Sequence, residues 1–414
     1  MATARPRPTD QSDVRRVNSA LVLDQVATAG PLSRAQVAAF TGLTRATVGS
    51  IVDELIGAGL VVEQGTRSTG VGRPGTDLAL RPDGAAGVGL EINVDGISAV
   101  TVDLTGAVRW RRTRSGDQRG RTVAAVLRSA AALVDSALAD ATRQGMPVAG
   151  VGVAVPGLVD LAEQRVRVAP NLGWTDVAVV ERLRALGRAT WPANVGLDNE
   201  ANLAALGELW SGGHGGTDSF VLVNGDVGVG AGVVLDGGLY RGSRGFGGEL
   251  GHLTVAVDGP ECRCGARGCL EQVAGLDWIL ARAGLPVSPS VGADAVEPLL
   301  SALAAHDDLA IAAVSEAAAS LGVGVAAMVN LFDVDAVVLG GVFAPLFPWL
   351  DGQLRAVLDR RVLSARWAPV SVTPSKLGRD AAVVGAARSG VRALLTHPLH
   401  HPDHQAAAPP RSPR

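Results

Sequence analysis

All three cysteines of this 414-residue chain, Cys262, Cys264 and Cys269, fall within eight residues, and His252 stands ten residues upstream. Three thiolates and one imidazole make a closed tetrahedral set for structural zinc, with no open position left for catalysis. Gly265 and Gly268 supply the tight turns such a knuckle needs. The bland alternative is a chance cluster of reduced cysteines, and it is the weaker reading, because unrelated cysteines rarely gather at this spacing. A zinc site of this kind contributes on the order of 10 kcal/mol to ordering its loop.

Two further clusters suit the recognition of a polyol. Asp198-Asn199-Glu200-Ala201-Asn202 opens a helix, and Gly248-Glu249-Leu250-Gly251-His252 leads into the cysteine loop, with Glu271 just past Cys269. Carboxylates and amides that converge with an imidazole can bond adjacent sugar hydroxyls and reject analogues that lack them. The plainer reading of Asp198 and Asn199 is helix capping, and for Asp198 alone the two readings weigh about equally. A third group lies near the N-terminus. Thr44, Arg45, Thr47 and Ser50 open a helix with hydrogen-bonding side chains, and Ala46 and Gly49 between them permit close approach. That is the composition of a recognition helix entering a major groove. Arg34 and the loop arginines Arg67 and Arg73 complete the expected DNA-binding set, with the Gly-Arg-Pro segment at 72–74 suited to a minor groove.

The elements that must position these groups follow from periodicity. Val17, Leu21 and Val26 recur at helical spacing up to Gly30-Pro31. Ser33 with Gln36 forms a capping box, and Val37 and Phe40 are expected to face the core. Thr44 then caps a third helix striped by Val48, Ile51, Val52, Leu55 and Ile56. Leu60–Glu63 and Asp77–Leu80 flank a Gly-rich loop and read as a wing, so residues 14–82 form a winged helix-turn-helix. Residues 1–13 are expected to be a polar arm and 396–414 a disordered tail. Strand signals at Gly87–Ile92, Ile97–Asp103 and Val108–Arg112, a helix near Thr122–Gln144, and a second passage from Phe220 through Leu235 suggest a duplicated α/β architecture with a cleft between lobes over 86–395.

Composition bounds the function. The chain is 47% hydrophobic and 19% charged, which excludes a disordered protein. Its net charge is −3, but residues 1–82 carry nine arginines against seven carboxylates. A cationic head on an acidic body fits DNA binding, and so weak a charge calls for a dimer to double the phosphate contacts. No secretory signal is visible, and no stretch reaches the roughly 18 uncharged apolar residues of a membrane span, so a cytoplasmic location is expected.

The chain resembles the ROK family of repressors, open reading frames and sugar kinases, in its transcriptional-regulator branch. The resemblance covers residues 15–395 and rests on His252 with the three cysteines, Glu249-x-Gly251-His252, Asp198-Asn199-Glu200-Ala201-Asn202, Pro156-Gly157, Pro170-Asn171-Leu172-Gly173-Trp174 and Val338-Leu339-Gly340-Gly341. It implies a two-lobed actin-like, ribonuclease-H-like fold, dimers or tetramers, and a sugar held by Asn171, Asn199, Glu200, Glu249, His252 and Glu271. The kinases of the family carry Asp-x-Gly-Gly-Thr where this chain has Glu91-Ile92-Asn93-Val94-Asp95, and an aspartate base where it has Glu200. Asp95 and Asp226 put negative charge where a nucleotide's phosphates would lie. The expectation is a sugar-responsive repressor of the xylose-repressor-like kind with a degenerate kinase cleft and no catalytic residue. The alternatives are an ATP-dependent sugar kinase with an appended DNA-binding domain and, more weakly, an adaptor controlled by a protein partner.

Overall fold

A computed structural model of the chain describes residues 11–67, 75–211, 217–287, 296–396 and 398. The head comprises α1 (Gln11–Ala29), β1 (Leu32–Ser33), α2 (Arg34–Thr41), α3 (Arg45–Gly57), β2 (Val61–Arg67) and β3 (Gly75–Leu80). Its strands pair antiparallel in the order β1-β3-β2. Ser33 and Gln36 form the capping box, and the Thr44 side chain accepts from the Thr47 amide to open α3. Val48, Ile51, Val52 and Leu55 are buried as their spacing predicts.

The head departs from expectation in two places. The first helix starts at Gln11, inside the segment expected to be an arm. Its buried apolar residues are Val22, Leu23 and Val26, whereas Val17 and Leu21 are exposed, as is Phe40 on α2. The helix turns its C-terminal half to α2, α3 and the last helix of the chain, which rotates the expected stripe outward.

The body holds two sheets of one plan. The first uses β4 (Ala86–Ile92), β5 (Gly96–Asp103), β6 (Val108–Ser115), β7 (Val148–Val155) and β11 (Val195–Asn199), with α4 (Val123–Arg143) between β6 and β7. A small antiparallel sheet of β8 (Leu158–Asp160), β9 (Arg165–Ala169) and β10 (Trp174–Val177), then α5 (Val179–Leu186), fills the connection to β11, and α6 (Glu200–Trp210) follows. The second sheet uses β12 (Phe220–Gly225), β13 (Val229–Leu235), β14 (Gly238–Tyr240), β15 (Ala336–Gly341) and β16 (Ser371–Pro374). The helices α7 (Glu271–Ala274), α8 (Leu276–Arg282), α9 (Glu297–Ala304), α10 (Asp308–Phe332), α11 (Phe343–Arg361) and α12 (Ala381–Thr396) complete the chain. The orders β6-β5-β4-β7-β11 and β14-β13-β12-β15-β16 correspond strand for strand: an antiparallel meander extended by two parallel strands. That correspondence is the duplication expected from the sequence.

The helix α12 ties the parts together. It packs on β4 and β7, on α6 and on α1. The approach to α6 is backbone to backbone: a Cβ on Gly385 would stand 1.8 Å from the Leu203 carbonyl oxygen, so only glycine fits. At its other end Val391, Leu394 and Leu395 join Val22, Leu23 and Val26 in one cluster, and Arg392 pairs with Asp24 at 3.0 Å. The head therefore shares its core with the body. Among the described residues one helix, α10, is long and apolar enough by length and mean hydropathy to cross a membrane, although it carries Asp308 and Glu316. Its buried residues pack in the core of the second lobe with α8 and α11.

Candidate functional site

The cysteine loop folds as a compact knuckle. A turn of 3-10 helix over Leu250–His252 presents the histidine, and the Cys262 amide donates to the Ala266 carbonyl at 2.8 Å to close the loop. Gly268 has φ +68°, and a Cβ there would lie 1.6 Å from the Ala256 carbonyl oxygen, so the turn admits glycine alone. The ligand atoms of His252, Cys262, Cys264 and Cys269 all lie within 4.8 Å of one another. Cys262 Sγ is 3.8 Å from His252 Nδ1, and Cys264 Sγ is 3.7 Å from Cys269 Sγ. Tetrahedral bonds to sulfur and nitrogen require ligand–ligand separations of about 3.5–3.8 Å, so the set is placed to hold a metal ion. Burial pushes the Cys262 and Cys269 thiols above their ordinary range, a cost that a bound dication offsets by favouring thiolate.

Beside the knuckle, between the lobes, lies a cavity of about 70 Å³ whose walls include Asn171, Asn199, Glu200, Glu249, His252 and Glu271. All six residues expected to hold a sugar thus meet at one place. Their roles differ. Asn199 is the N-cap of α6: its Oδ1 accepts from the amides of Ala201 and Asn202, and its Nδ2 donates to the Gly157 carbonyl at 2.9 Å. Asp198 accepts from the Asn199 amide and from Asn202, and pairs with Arg241 at 2.7 Å. Both are therefore occupied in shaping the wall. Glu200 is different, since its Oε2 is buried without a hydrogen-bond partner in the structure. Glu271 spans two sites. One oxygen accepts from Cys262 Sγ at 3.0 Å, while a Cβ placed on Gly228 would stand 2.7 Å from the other and 3.1 Å from Asn171 Nδ2. His252 turns Nδ1 toward the cysteines and also lines the cavity.

A second, larger cavity of about 510 Å³ opens at the turns that end β4, β12 and β15, lined by Glu91, Asn93, Asp95, Gly225, Asp226, Gly341 and Arg379 among others. Asn93 Nδ2 donates to Asp226 at 2.8 Å, linking the two lobes. Arg379 pairs with Asp95 at 2.5 Å, and Arg111 with Asp380. Of the two aspartates expected to repel a nucleotide's phosphates, Asp95 is therefore paired with a cation, while Asp226 is bonded to Asn93. Sequence reasoning missed Arg379 because it lies 284 residues from its partner and no local pattern marks it. The carboxylates still crowd one another. Burial, with Asp95 and Asp226 nearby, pushes Glu91 up to about 8, and burial beside Asp95 pushes Asp226 up to about 7. Burial and the neighbouring Asp226 and Glu91 hold Glu200 well above the usual carboxylate range.

In the head, Thr44, Arg45 and Ser50 are exposed at the start of α3, with Thr47 half-buried. Ser50 accepts from Arg15 at 3.0 Å. Arg34 is committed within the head, paired with Asp53 at 2.9 Å and with Glu63. It braces α2 against α3 and β2, with its side chain half-buried. Arg67 ends β2, and Arg73 lies outside the described residues.

The model of the ROK family matches residues 87–389, spanning both sheets and the knuckle. The chain belongs to the ROK family. A MarR family model matches residues 13–73 of the head. The chain is 30% identical to the xylose repressor of Caldicellulosiruptor bescii over 93% of its own length and 98% of that protein's. It is 28% identical to the xylose repressor of Bacillus subtilis over 91% and 95%. The glucokinase of Thermotoga maritima is 34% identical over 57% of this chain and 77% of its own, and so matches only part of it. Among solved structures, a ROK family transcriptional regulator described as a homologue of the E. coli MLC protein superposes with a TM-score of 0.74 at 25% identity, over 93% of this chain and 98% of that one. This ROK protein, with its winged-helix head and actin-like body, is a sugar-responsive transcriptional regulator.

Proposed function

We propose that this chain is a repressor that holds operator DNA through its winged head and releases it when an uncharged sugar fills the cavity beside the knuckle. The recognition helix would present Thr44, Arg45, Thr47 and Ser50 to base edges, and the wing arginines Arg67 and Arg73 would enter the minor groove. Two or four copies of the chain would share one operator, in the cytoplasm. Zinc would occupy the knuckle, binding His252, Cys262, Cys264 and Cys269. When bound it supplies structural order, fixing the His252 ring and the loop that carries Glu271.

The observation that carries this reading is the lining of the smaller cavity. Glu200, Glu249 and Glu271 meet there with Asn171 and His252, and no arginine or lysine lines it. Hydroxyl groups can donate to such carboxylates, and Glu200 Oε2 has an acceptor position to fill. A phosphorylated sugar would set a dianion among the carboxyl groups of Glu200, Asp226, Glu249 and Glu271, with no arginine or lysine in the lining to offset it. The route to DNA is physical: α6 begins at Glu200 in the cavity wall, packs on α12, and α12 shares a core with α1. The ligand shifts operator binding only by its differential affinity for the two arrangements of this stack. The relatives named xylose repressors make xylose the first sugar to test.

A second reading, an active sugar kinase, is favoured by one feature. The larger cavity remains open at the glycines Gly225 and Gly341, and Arg379 offsets Asp95 there. The experiment is fluorescence anisotropy of the zinc-loaded protein on DNA from upstream of its own gene. It is titrated with xylose, other free sugars and their phosphates, while ATP-dependent ADP release is followed in parallel. Salt-sensitive binding relieved by a free sugar without ADP supports the repressor. Sugar-dependent ADP release supports the kinase, and relief only by a sugar phosphate overturns the assigned pocket.

A further inference from the structure

A short strap, residues 375–380, joins β16 to α12, the helix whose far end holds the head. It is bonded to four other parts of the molecule. The Ser375 amide donates to the Leu339 carbonyl on β15 at 2.8 Å. The Ser375 hydroxyl and the Leu377 amide, the latter at 3.0 Å, both donate to Glu208 Oε1 on α6. Arg379 pairs with Asp95 in the turn after β4, and Asp380 pairs with Arg111 on β6. Within the strap the Gly378 amide donates to Ser375 Oγ at 2.7 Å, and the Asp380 amide to the Leu377 carbonyl at 3.0 Å. Those internal bonds give it a fixed shape, so a pull at Ser375 or Leu377 reaches the residues that open α12.

Glu208 is the partner that connects this strap to the sugar cavity. It is fully buried and stands eight residues after Glu200 on the same helix, about 12 Å along the axis at 1.5 Å per residue. The helix has no proline between them, so a shift at its cavity end appears at Glu208. The other contacts of α6 with α12 come from small apolar groups, with Gly207 and Gly385 bringing the two backbones together. Such contacts have no preferred direction, and packed helices can slide along them. Hydrogen bonds to a buried carboxyl are directional, and no water stands ready to replace them. A second polar tie, Arg388 to Ser211 at 2.8 Å, is exposed, where water can take over. We propose that Glu208 is the positioning residue through which the occupant of the sugar cavity moves the strap and the start of α12. The inference rests on the reading of a sugar-responsive repressor, and it names the side chain through which the response travels.

The test is operator binding by fluorescence anisotropy on the full-length zinc-loaded chain, with and without saturating xylose. Calorimetric xylose binding to the DNA-free protein runs beside it, for the parent and for Glu208→Ala, Glu208→Gln and Ser375→Ala. The ratio of operator dissociation constants with and without xylose measures the coupling, expected at roughly 5–150-fold in the parent. Glu208→Ala removes both bonds and should bring that ratio to about twofold or less, with xylose affinity and sugar-free operator affinity within about threefold of the parent. Glu208→Gln keeps an oxygen that accepts from both donors and should keep most of the ratio. Ser375→Ala deletes one bond from the strap side and should give an intermediate ratio, which reads the junction even where Glu208→Ala folds poorly. A plain buried staple would lower the melting temperature and leave the ratio at the parent's value, and that result overturns the inference. So does a Glu208→Gln chain that loses the ratio as fully as Glu208→Ala, or a ratio lost only together with xylose binding. A parent whose operator binding responds neither to xylose nor to the other free sugars of the titration sinks the repressor reading along with the inference. A responsive parent with equally responsive variants sinks the inference alone.

Discussion

The knuckle and the carboxylate cleft stand side by side, yet they are built in opposite ways. The knuckle draws every ligand from an eighteen-residue stretch, His252 to Cys269, and is closed by local turns. The cleft gathers Glu91, Asn93, Asp95, Glu200, Asp226 and Arg379 from four separate places in the chain and depends on the lobes being set correctly. Glu271 and His252 belong to both, so the local structure positions the edge of the distributed one. The difference teaches that a compact local motif can fix one edge of a site whose other walls depend on long-range packing.

The sharpest way to break that dependence is to remove the anchor. Cys269 is fully buried, and replacing it with serine leaves three ligands around a buried position. A structural zinc site contributes on the order of 10 kcal/mol. Even a partial loss should lower the melting temperature by about 10 °C or more, at roughly 2–4 °C per kcal/mol for domains of this size. Calorimetry and metal analysis of Cys269→Ser measure both parts. Full stability with no bound zinc would show that the knuckle is held by its turns alone.

The reverse experiment leaves the anchor and empties the cleft. Glu249 lines the cavity but holds no bond that the fold depends on, and burial raises its carboxyl above the ordinary range. Glu249→Ala should weaken the sugar response by about 10–100-fold, the worth of a hydrogen bond to a charged group, while operator affinity and bound zinc stay at parent values. Operator release at the parent's sugar concentration would remove Glu249 from the pocket.

The same contrast governs what was legible in the sequence. The knuckle was fully legible, because its ligands, turns and spacing are neighbours in the chain. The winged head was legible in its elements through caps and periodicity, but not in the facing of α1. Which side of a helix is buried depends on where α12 arrives from, some 370 residues away. Val17 and Leu21 were accordingly expected inside and stand outside. In the cleft the pocket residues were legible as a set, but their division of labour was not. Asn199 spends its amide capping α6, and Asp95 is answered by Arg379 across 284 residues. Arg34 shows the same limit in the head, where its charge was visible and its partners Asp53 and Glu63 were not.

The mildest test titrates the cleft while leaving the knuckle untouched. Glu91 is raised to about 8 and Asp226 to about 7, chiefly by burial and then by neighbouring carboxylates. In the unfolded chain both groups titrate in the ordinary carboxylate range near pH 4. The folded protein therefore binds more protons than the unfolded one between about pH 4 and pH 8, and its stability must fall as pH rises through that window. The two carboxyls titrate together beside Asp95, so a net loss of about 1–2 kcal/mol or more is expected across this range. Melting temperature measured from pH 5.5 to pH 8.5 should thus decline by a few degrees, and Glu91→Gln should flatten the decline because its neutral amide has no proton to lose. A parent whose melting temperature is level across that range would show that the carboxylates do not crowd one another as the cleft places them. A decline that Glu91→Gln leaves unchanged would move the titrating charge to another part of the cleft. Measured on protein loaded with zinc, either result would bear on the cleft alone, since thiolates holding the metal would have no proton to lose across this range.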